Sequence, residues 1–185
     1  MSETTAPTVE TEIMPHRLKA LIRDIPDFPK PGVLFKDITP LLADPAGLAL
    51  AVELMADHLR NTGIDLVVGA ESRGFIFGTA IAQLLNCGFI PVRKPGKLPA
   101  ATKSLTYDLE YGTDTLEIHS DAIAEHHRVL MVDDLIATGG TMKACCDLVN
   151  GLGGEIVGIS VLIELTFLNG RQRVLPYKVD AVLKY

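Results

Sequence analysis

The densest chemistry in the chain lies in Val129-Leu130-Met131-Val132-Asp133-Asp134-Leu135-Ile136-Ala137-Thr138-Gly139-Gly140-Thr141. An apolar run ends in two adjacent carboxylates, and two glycines lead into a stretch that reads as a helix. Glycines at that place let backbone N–H groups converge on an anion, and a helix start adds the positive end of its dipole. Thr138 and Thr141 add hydroxyl donors. Residues Ala137, Thr138, Gly139, Gly140 and Thr141 therefore have the make-up of a monophosphate cradle. It is not the nucleoside-triphosphate loop, because GxxxxGK[ST] is absent. Asp133 and Asp134 would repel the same anion if they touched it. They suit neutral hydroxyls, such as a sugar diol, or a divalent cation. A phosphate on one side and a diol on the other describe ribose 5-phosphate.

Such a loop needs a strand before it and a helix after it, and the pattern supplies both repeatedly. Leu66 to Ala70, Gly88 to Val92, Val129 to Val132 and Ile156 to Leu165 are short apolar runs without polar alternation. Gly74 to Leu85 and Gly140 to Leu152 read as helices between them, the latter closed by Gly153-Gly154. Strands of that kind, separated by helices, predict a mostly parallel, doubly wound α/β sheet with helices on both faces. Upstream, Ile13 to Ile25 has helical apolar spacing. The proline-dense Pro26 to Asp37 cannot be helical. Asp44-Pro45 starts a helix that should run to about Asn61 before Gly63. Arg93 to Leu105 reads as a basic loop and Thr106 to Ile118 as a hairpin turning at Gly112-Thr113. The excursion over 93–118 predicts a flexible lid. Val182, Leu183 and Lys184 should finish an edge or cover the core. The acidic, polar residues 1–10 read as a disordered tail, and 11–185 as a single domain with a small N-terminal hood over about 26–44.

The 185 residues carry a net charge of -6, with 48% hydrophobic and 22% charged residues. That is a globular composition, and it weighs against a general nucleic-acid binder. Cys87, Cys145 and Cys146 offer no disulfide framework and suggest a reducing compartment. No apolar run reaches the length of a membrane span. A cytoplasmic protein without nucleic-acid or membrane partners is expected. The five histidines show no ligand spacing and read as structural or surface residues.

The Val129–Thr141 stretch resembles the signature of the type I phosphoribosyltransferases. Further segments narrow the likeness: Asp27-Phe28-Pro29, Pro31-Gly32-Val33, Phe35-Lys36-Asp37-Ile38-Thr39, Glu71-Ser72-Arg73-Gly74-Phe75, Arg93-Lys94 with Gly96-Lys97-Leu98-Pro99, and Leu109-Glu110-Tyr111-Gly112. Together they resemble the adenine phosphoribosyltransferases over roughly Phe28 to Glu164. The resemblance implies a glycosyltransferase (pentosyltransferase) of purine salvage. Such an enzyme makes AMP and pyrophosphate from adenine and 5-phosphoribosyl 1-pyrophosphate (PRPP), with magnesium.

By the same resemblance, 137–141 hold the 5′-phosphate and Asp133 and Asp134 the ribose hydroxyls. Glu71, Ser72, Arg73, Arg93, Lys94 and Lys97 bind pyrophosphate. The family's loop often has a non-proline cis peptide, here at Glu71-Ser72. Arg93 serves its own site or, in an implied homodimer, the neighbour's. Phe35 stacks on the purine, while the Leu34 carbonyl and the Lys36 N–H read its edge. Glu110 is the acid–base residue and Tyr111 packs over the closed site. The resemblance singles out no direct protein ligand for the metal, the Mg2+ being held mainly by PRPP and water. Lys36 stands where the family commonly has arginine, which puts any side-chain role there in doubt. From local sequence alone Phe35 reads as ordinary core. The rivals are a phosphoribosyltransferase for hypoxanthine, guanine or xanthine, and a regulatory protein that keeps the fold but binds nucleic acid.

Overall fold

The computed structural model describes residues 9–108 and 112–185. The apolar runs become the parallel strands β3 (Leu66–Ala70), β4 (Gly88–Val92), β7 (Arg128–Ile136) and β8 (Glu155–Glu164), joined at the far side by β9 (Val179–Lys184). Numbering follows the chain: β1 (Arg23–Pro26), β2 (Leu34–Asp37), β5 (Thr102–Asp108) and β6 (Thr113–His119) lie in two smaller antiparallel ribbons. The helices are α1 (Val9–Lys19), α2 (Thr39–Ala43), α3 (Pro45–Ala56), α4 (Arg73–Leu85), α5 (Gly140–Gly151) and the short α6 (Gly170–Arg173).

The five-stranded sheet has the order β4-β3-β7-β8-β9, all neighbours parallel. From β3 the chain crosses through α4 to β4, whereas from β7 it crosses through α5 to β8. These crossovers leave adjacent strands in opposite directions. A crevice must therefore open at the carboxyl ends of β3 and β7. The crossover helices take opposite faces. Val68, Met131 and Val161 pack into the core cluster that holds Cys145, Leu148 and Val149 of α5. The intervening β3 residue, Gly69, points the other way, where a Cβ would come within 2.9 Å of the Gly74 carbonyl oxygen of α4. Burial pushes the Cys146 thiol up to about 12 and Cys145 up as well, so both act as small hydrophobes.

The chain divides after Leu54 into two compact units. The first contains the β1–β2 ribbon, in which Ile25 faces Phe35 and Pro26 faces Leu34. The second contains the parallel sheet and the β5–β6 ribbon.

Several boundaries differ from the sequence reading. α1 ends at Lys19, and Ile22 and Ile25 fall in a turn and in β1, where ribbon pairing overrides their helical spacing. Asp44 caps α3, its Oδ1 accepting the Gly47 N–H at 2.6 Å, but α3 stops at Ala56 and Asp57–Leu59 continue as a 3-10 turn. β7 runs two residues past Asp134, because Leu135 and Ile136 keep pairing with Ile163 and Glu164 of the long β8. The basic loop ends earlier than expected, since β5 already begins at Thr102 and pairs with His119. Of the tail expected over 1–10, residues 1–8 lie outside the described residues, and Val9 and Glu10 open α1. Among the described residues no helix is long and apolar enough to cross a membrane.

The near-contact of Gly69 with Gly74 sets how closely α4 lies on β3. Gly69→Ala is expected to destabilise the protein by about 1–3 kcal/mol in urea unfolding, the usual cost of overpacking. An unchanged midpoint would mean that α4 is free to move away.

Candidate active site

The crevice at the switch point is a cleft of about 410 Å³. It is lined by Glu71, Ser72 and Arg73 from the β3–α4 connection, by Asp133 and Asp134 near the end of β7, and by Ala137 to Met142 at the head of α5. Residues more than sixty positions apart thus meet because β3 and β7 are neighbours, with Gly69 beside Val132. Gly139 takes φ +81°, which turns the chain sharply into α5. No side chain caps α5 at Gly139 or α4 at Ser72. Two helix starts therefore present first-turn N–H groups to one cleft. The Glu71-Ser72 peptide is cis, as the resemblance implied.

Between these positive ends lie the two acids. Asp133 Oδ1 accepts the Asp134 N–H at 2.9 Å. Asp134 is buried, and its Oδ2 is 2.7 Å from Arg73 Nε, a close charge contact without an aligned hydrogen bond. Burial pushes the Asp133 carboxyl well above the usual carboxylate range, and the charge of Asp134 adds to the push. Asp133 is half-buried and lines the cleft. Burial raises Asp134 too, while Arg73 pulls it back down. One buried and one half-buried carboxylate, with one arginine already balancing the pair, suit neutral hydroxyls better than a second anion.

The remaining predicted cations do not line the cleft. Arg93 Nε is 3.0 Å from Glu71 Oε2, the same oxygen accepts the Lys94 N–H at 3.0 Å, and the Arg93 guanidinium lies 5.9 Å from the centroid of the Phe75 ring. Lys94 Nζ pairs with Asp114. These contacts hold the Glu71 carboxyl below its usual range, the Lys94 N–H most of all. Lys97 is exposed. Three of the four cations expected to face an anion, Arg73, Arg93 and Lys94, therefore already have acidic partners. Their charge is more local than the sequence suggested, and the acids responsible lie far away along the chain. Glu110, Tyr111 and Leu109 lie outside the described residues.

In the first unit, Phe35 packs edge-on against Phe28, with ring centroids 5.1 Å apart, and Leu34 is exposed. Lys36 is buried, and its Nζ reaches Asp24 Oδ1, 2.6 Å away across the ribbon. Asp37 accepts both the hydroxyl and the N–H of Thr39 and pairs with Arg23, which lowers its carboxyl to about 2.

Sequence reasoning missed several neighbours of the 137–141 loop. The Tyr107 hydroxyl lies 3.2 Å from Thr141 Oγ1 and 3.4 Å from Asp114 Oδ2, tying the β5–β6 ribbon to the loop. Burial raises the Tyr107 hydroxyl's pKa. Gly170 and Arg173 approach the loop from the far end of β8. The Gly-Arg-Gln-Arg run was a visible signal, but only the tertiary fold brings it here.

The phosphoribosyl transferase domain family matches residues 37–184. The adenine phosphoribosyltransferase of Koribacter versatilis is 60% identical over 168 residues, 91% of this chain and 92% of that protein. The crystal structure of adenine phosphoribosyltransferase from Thermoanaerobacter pseudethanolicus superposes with a TM-score of 0.90 at 51% identity, covering 92% of this chain and 99% of that one. The enzyme from Saccharomyces cerevisiae, solved with an imino-altritol bisphosphate and adenine, gives 0.89 at 39% identity, covering 93% and 99%. A cleft with two open helix heads flanking paired acids, on a sheet of this order and with relatives this near, makes the chain a member of the adenine phosphoribosyltransferase family.

Proposed function

We propose that this protein transfers the 5-phosphoribosyl group of PRPP to adenine, giving AMP and pyrophosphate. The observation that carries the reading is the pair of uncapped helix heads, α4 and α5, at one cleft with Asp133 and Asp134 between them. A ligand with an anion at each end and hydroxyls in the middle fits that charge pattern, and PRPP is such a ligand. In this reading the amides and hydroxyls of 137–141 take the 5′-phosphate and the two acids take the ribose hydroxyls. The 71–73 turn takes pyrophosphate with Arg73, and Arg93, Lys94 and Lys97 assist from the adjoining loop. Arg93 serves its own site or the neighbour's, and its pair with Glu71 ties it to the 71–73 turn of its own chain.

The bond from the ribose anomeric carbon to pyrophosphate breaks, and a bond to the purine's five-membered ring forms through an oxocarbenium-like state. Arg73 and the head of α4 stabilise the charge that accumulates on the departing pyrophosphate. Glu110 takes the ring proton that adenine releases. Lid closure over 93–118 would keep water from hydrolysing PRPP.

Alternate residues of a strand present their main-chain groups to the same edge, so the Leu34 carbonyl and the Lys36 N–H can act together on adenine. A 6-oxopurine would meet mismatched groups there. The Lys36–Asp24 pair supports a main-chain role for Lys36, its side chain being occupied within the ribbon.

Magnesium belongs to this reading as an ion carried by the substrate. Among the described residues no cluster of three His, Cys, Asp or Glu side chains could hold a metal. The residues present fit an ion bound by ligand oxygens and water, with Asp133 and Asp134 near it. When bound, the ion supplies positive charge to the pyrophosphate. The homodimer is carried by the resemblance. A cytoplasmic location accords with three free cysteines.

Incubation with PRPP, magnesium and a panel of bases should yield AMP fastest. Turnover of guanine or hypoxanthine above that of adenine would reject the adenine assignment. Glu110→Gln is expected to lower kcat about 10²–10⁴-fold with PRPP affinity little changed. Equal losses in both would make Glu110 positional.

Asp133→Asn should weaken PRPP binding in calorimetry and at the same time stabilise the ligand-free protein near neutral pH. The carboxyl is raised in the folded state, so its stability contribution is greatest below the unfolded value of about 3.9 and is lost as pH rises toward the folded value. The variant's Tm advantage should therefore vanish at and below that lower limit. An advantage independent of pH would contradict the assignment.

A further inference from the structure

Arg173 stands beside the phosphate loop without an acidic partner among the described residues. A Cβ built at Gly140 would lie 3.4 Å from its Nη1. The side chain is exposed, but the turn that carries it is fixed. A Cβ at Gly170 would fall 2.2 Å from the Ala137 carbonyl oxygen and 3.0 Å from the Gly139 nitrogen, and one at Gly139 would fall 2.4 Å from the Gly170 carbonyl oxygen. Backbone thus rests on backbone, with no side chain between. The next residue, Arg171, makes a two-pronged ion pair with the buried Glu164, at 2.6 and 2.5 Å. At the other end Val174 is fully buried. The turn cannot drift from the loop without breaking these contacts.

The charges around the loop make this placement matter. Its amides and threonine hydroxyls are neutral donors, and Asp133 and Asp134 are acids. Lys143, in the first turns of α5, gives its ammonium to both oxygens of Asp147 at 2.6 Å. A phosphate monoester near pH 7 is close to a dianion. A planar guanidinium with several donors matches that group better than a point charge does.

We propose that Arg173 is a binding residue for the 5′-phosphate, contacting it from the Gly140 side of the loop. The inference rests on the reading that 137–141 bind this phosphate, and it adds the side-chain cation that reading lacked. Arg173 discriminates phosphorylated from unphosphorylated ligands and acts on neither the base nor the bond that breaks.

The test compares AMP with adenosine by calorimetry on the whole protein and on Arg173→Gln and Arg173→Lys. Arg173→Gln should weaken AMP about tenfold or more, the usual effect of losing a charge-assisted hydrogen bond, and leave adenosine nearly unchanged. Arg173→Lys should recover part of the loss. The drop in AMP affinity on protonating the phosphate, from about pH 7.5 to about pH 5.5, should shrink in Arg173→Gln. Because the side chain is exposed and has no ion-pair partner among the described residues, Tm should not move. Unchanged AMP affinity in Arg173→Gln, or equal losses for AMP and adenosine, would overturn the assignment while leaving the phosphate loop intact. A wild-type protein that binds AMP no better than adenosine would overturn the loop's role and Arg173's with it.

Discussion

The first-turn amides of α5, and those of Arg73 and Gly74 at the head of α4, have no carbonyl to bond within their helices, Phe75 alone donating back to the Ser72 carbonyl, and no side chain caps either helix. Partly enclosed N–H groups without acceptors are costly, and natural helices normally satisfy them. Here they face a shared cleft at the place where the chain leaves two neighbouring strands in opposite directions. An anion at each end would supply the missing acceptors. The parallel sheet, the close Gly69–Gly74 approach and the turn at Gly139 all serve to hold those amides still.

The same cleft contains a conflict. Asp133 and Asp134 place carboxylates between two anion-seeking helix heads, and burial raises both carboxyls. A fold selected for stability alone would not keep them there. Arg73 relieves the conflict in part by pairing with Asp134. Sugar hydroxyls would relieve it further, since they can donate to carboxylates without adding charge. Destabilising, desolvated groups in a cleft are a common mark of a functional site, because their cost is recovered when ligand binds.

Much of the frame was legible because strands covered on both faces read as unbroken apolar runs, and β3 and β4 fall where such runs predict them. The acids and glycines of 133–140 were legible as a cluster because they are contiguous in sequence. What local pattern could not give was pairing over distance. β7 extends past its acids because β8 is long, and β5 starts early because β6 offers it a partner in spite of the polar Lys103 and Ser104. Arg93 and Lys94 read as open cations until Glu71 and Asp114 are seen beside them. Arg173, more than thirty residues beyond the loop it stands beside, has no local signal apart from the charged run that contains it.

The central claim, that the main chain of 137–141 grips a phosphoryl group, is most directly tested by nitrogen-15 NMR during titration with ribose 5-phosphate and, separately, with ribose. The account predicts large, saturable downfield shifts of the Thr138 to Thr141 amide protons with ribose 5-phosphate and small ones with ribose. Amides that stay put with the phosphorylated sugar, or that respond equally to both sugars, would contradict it.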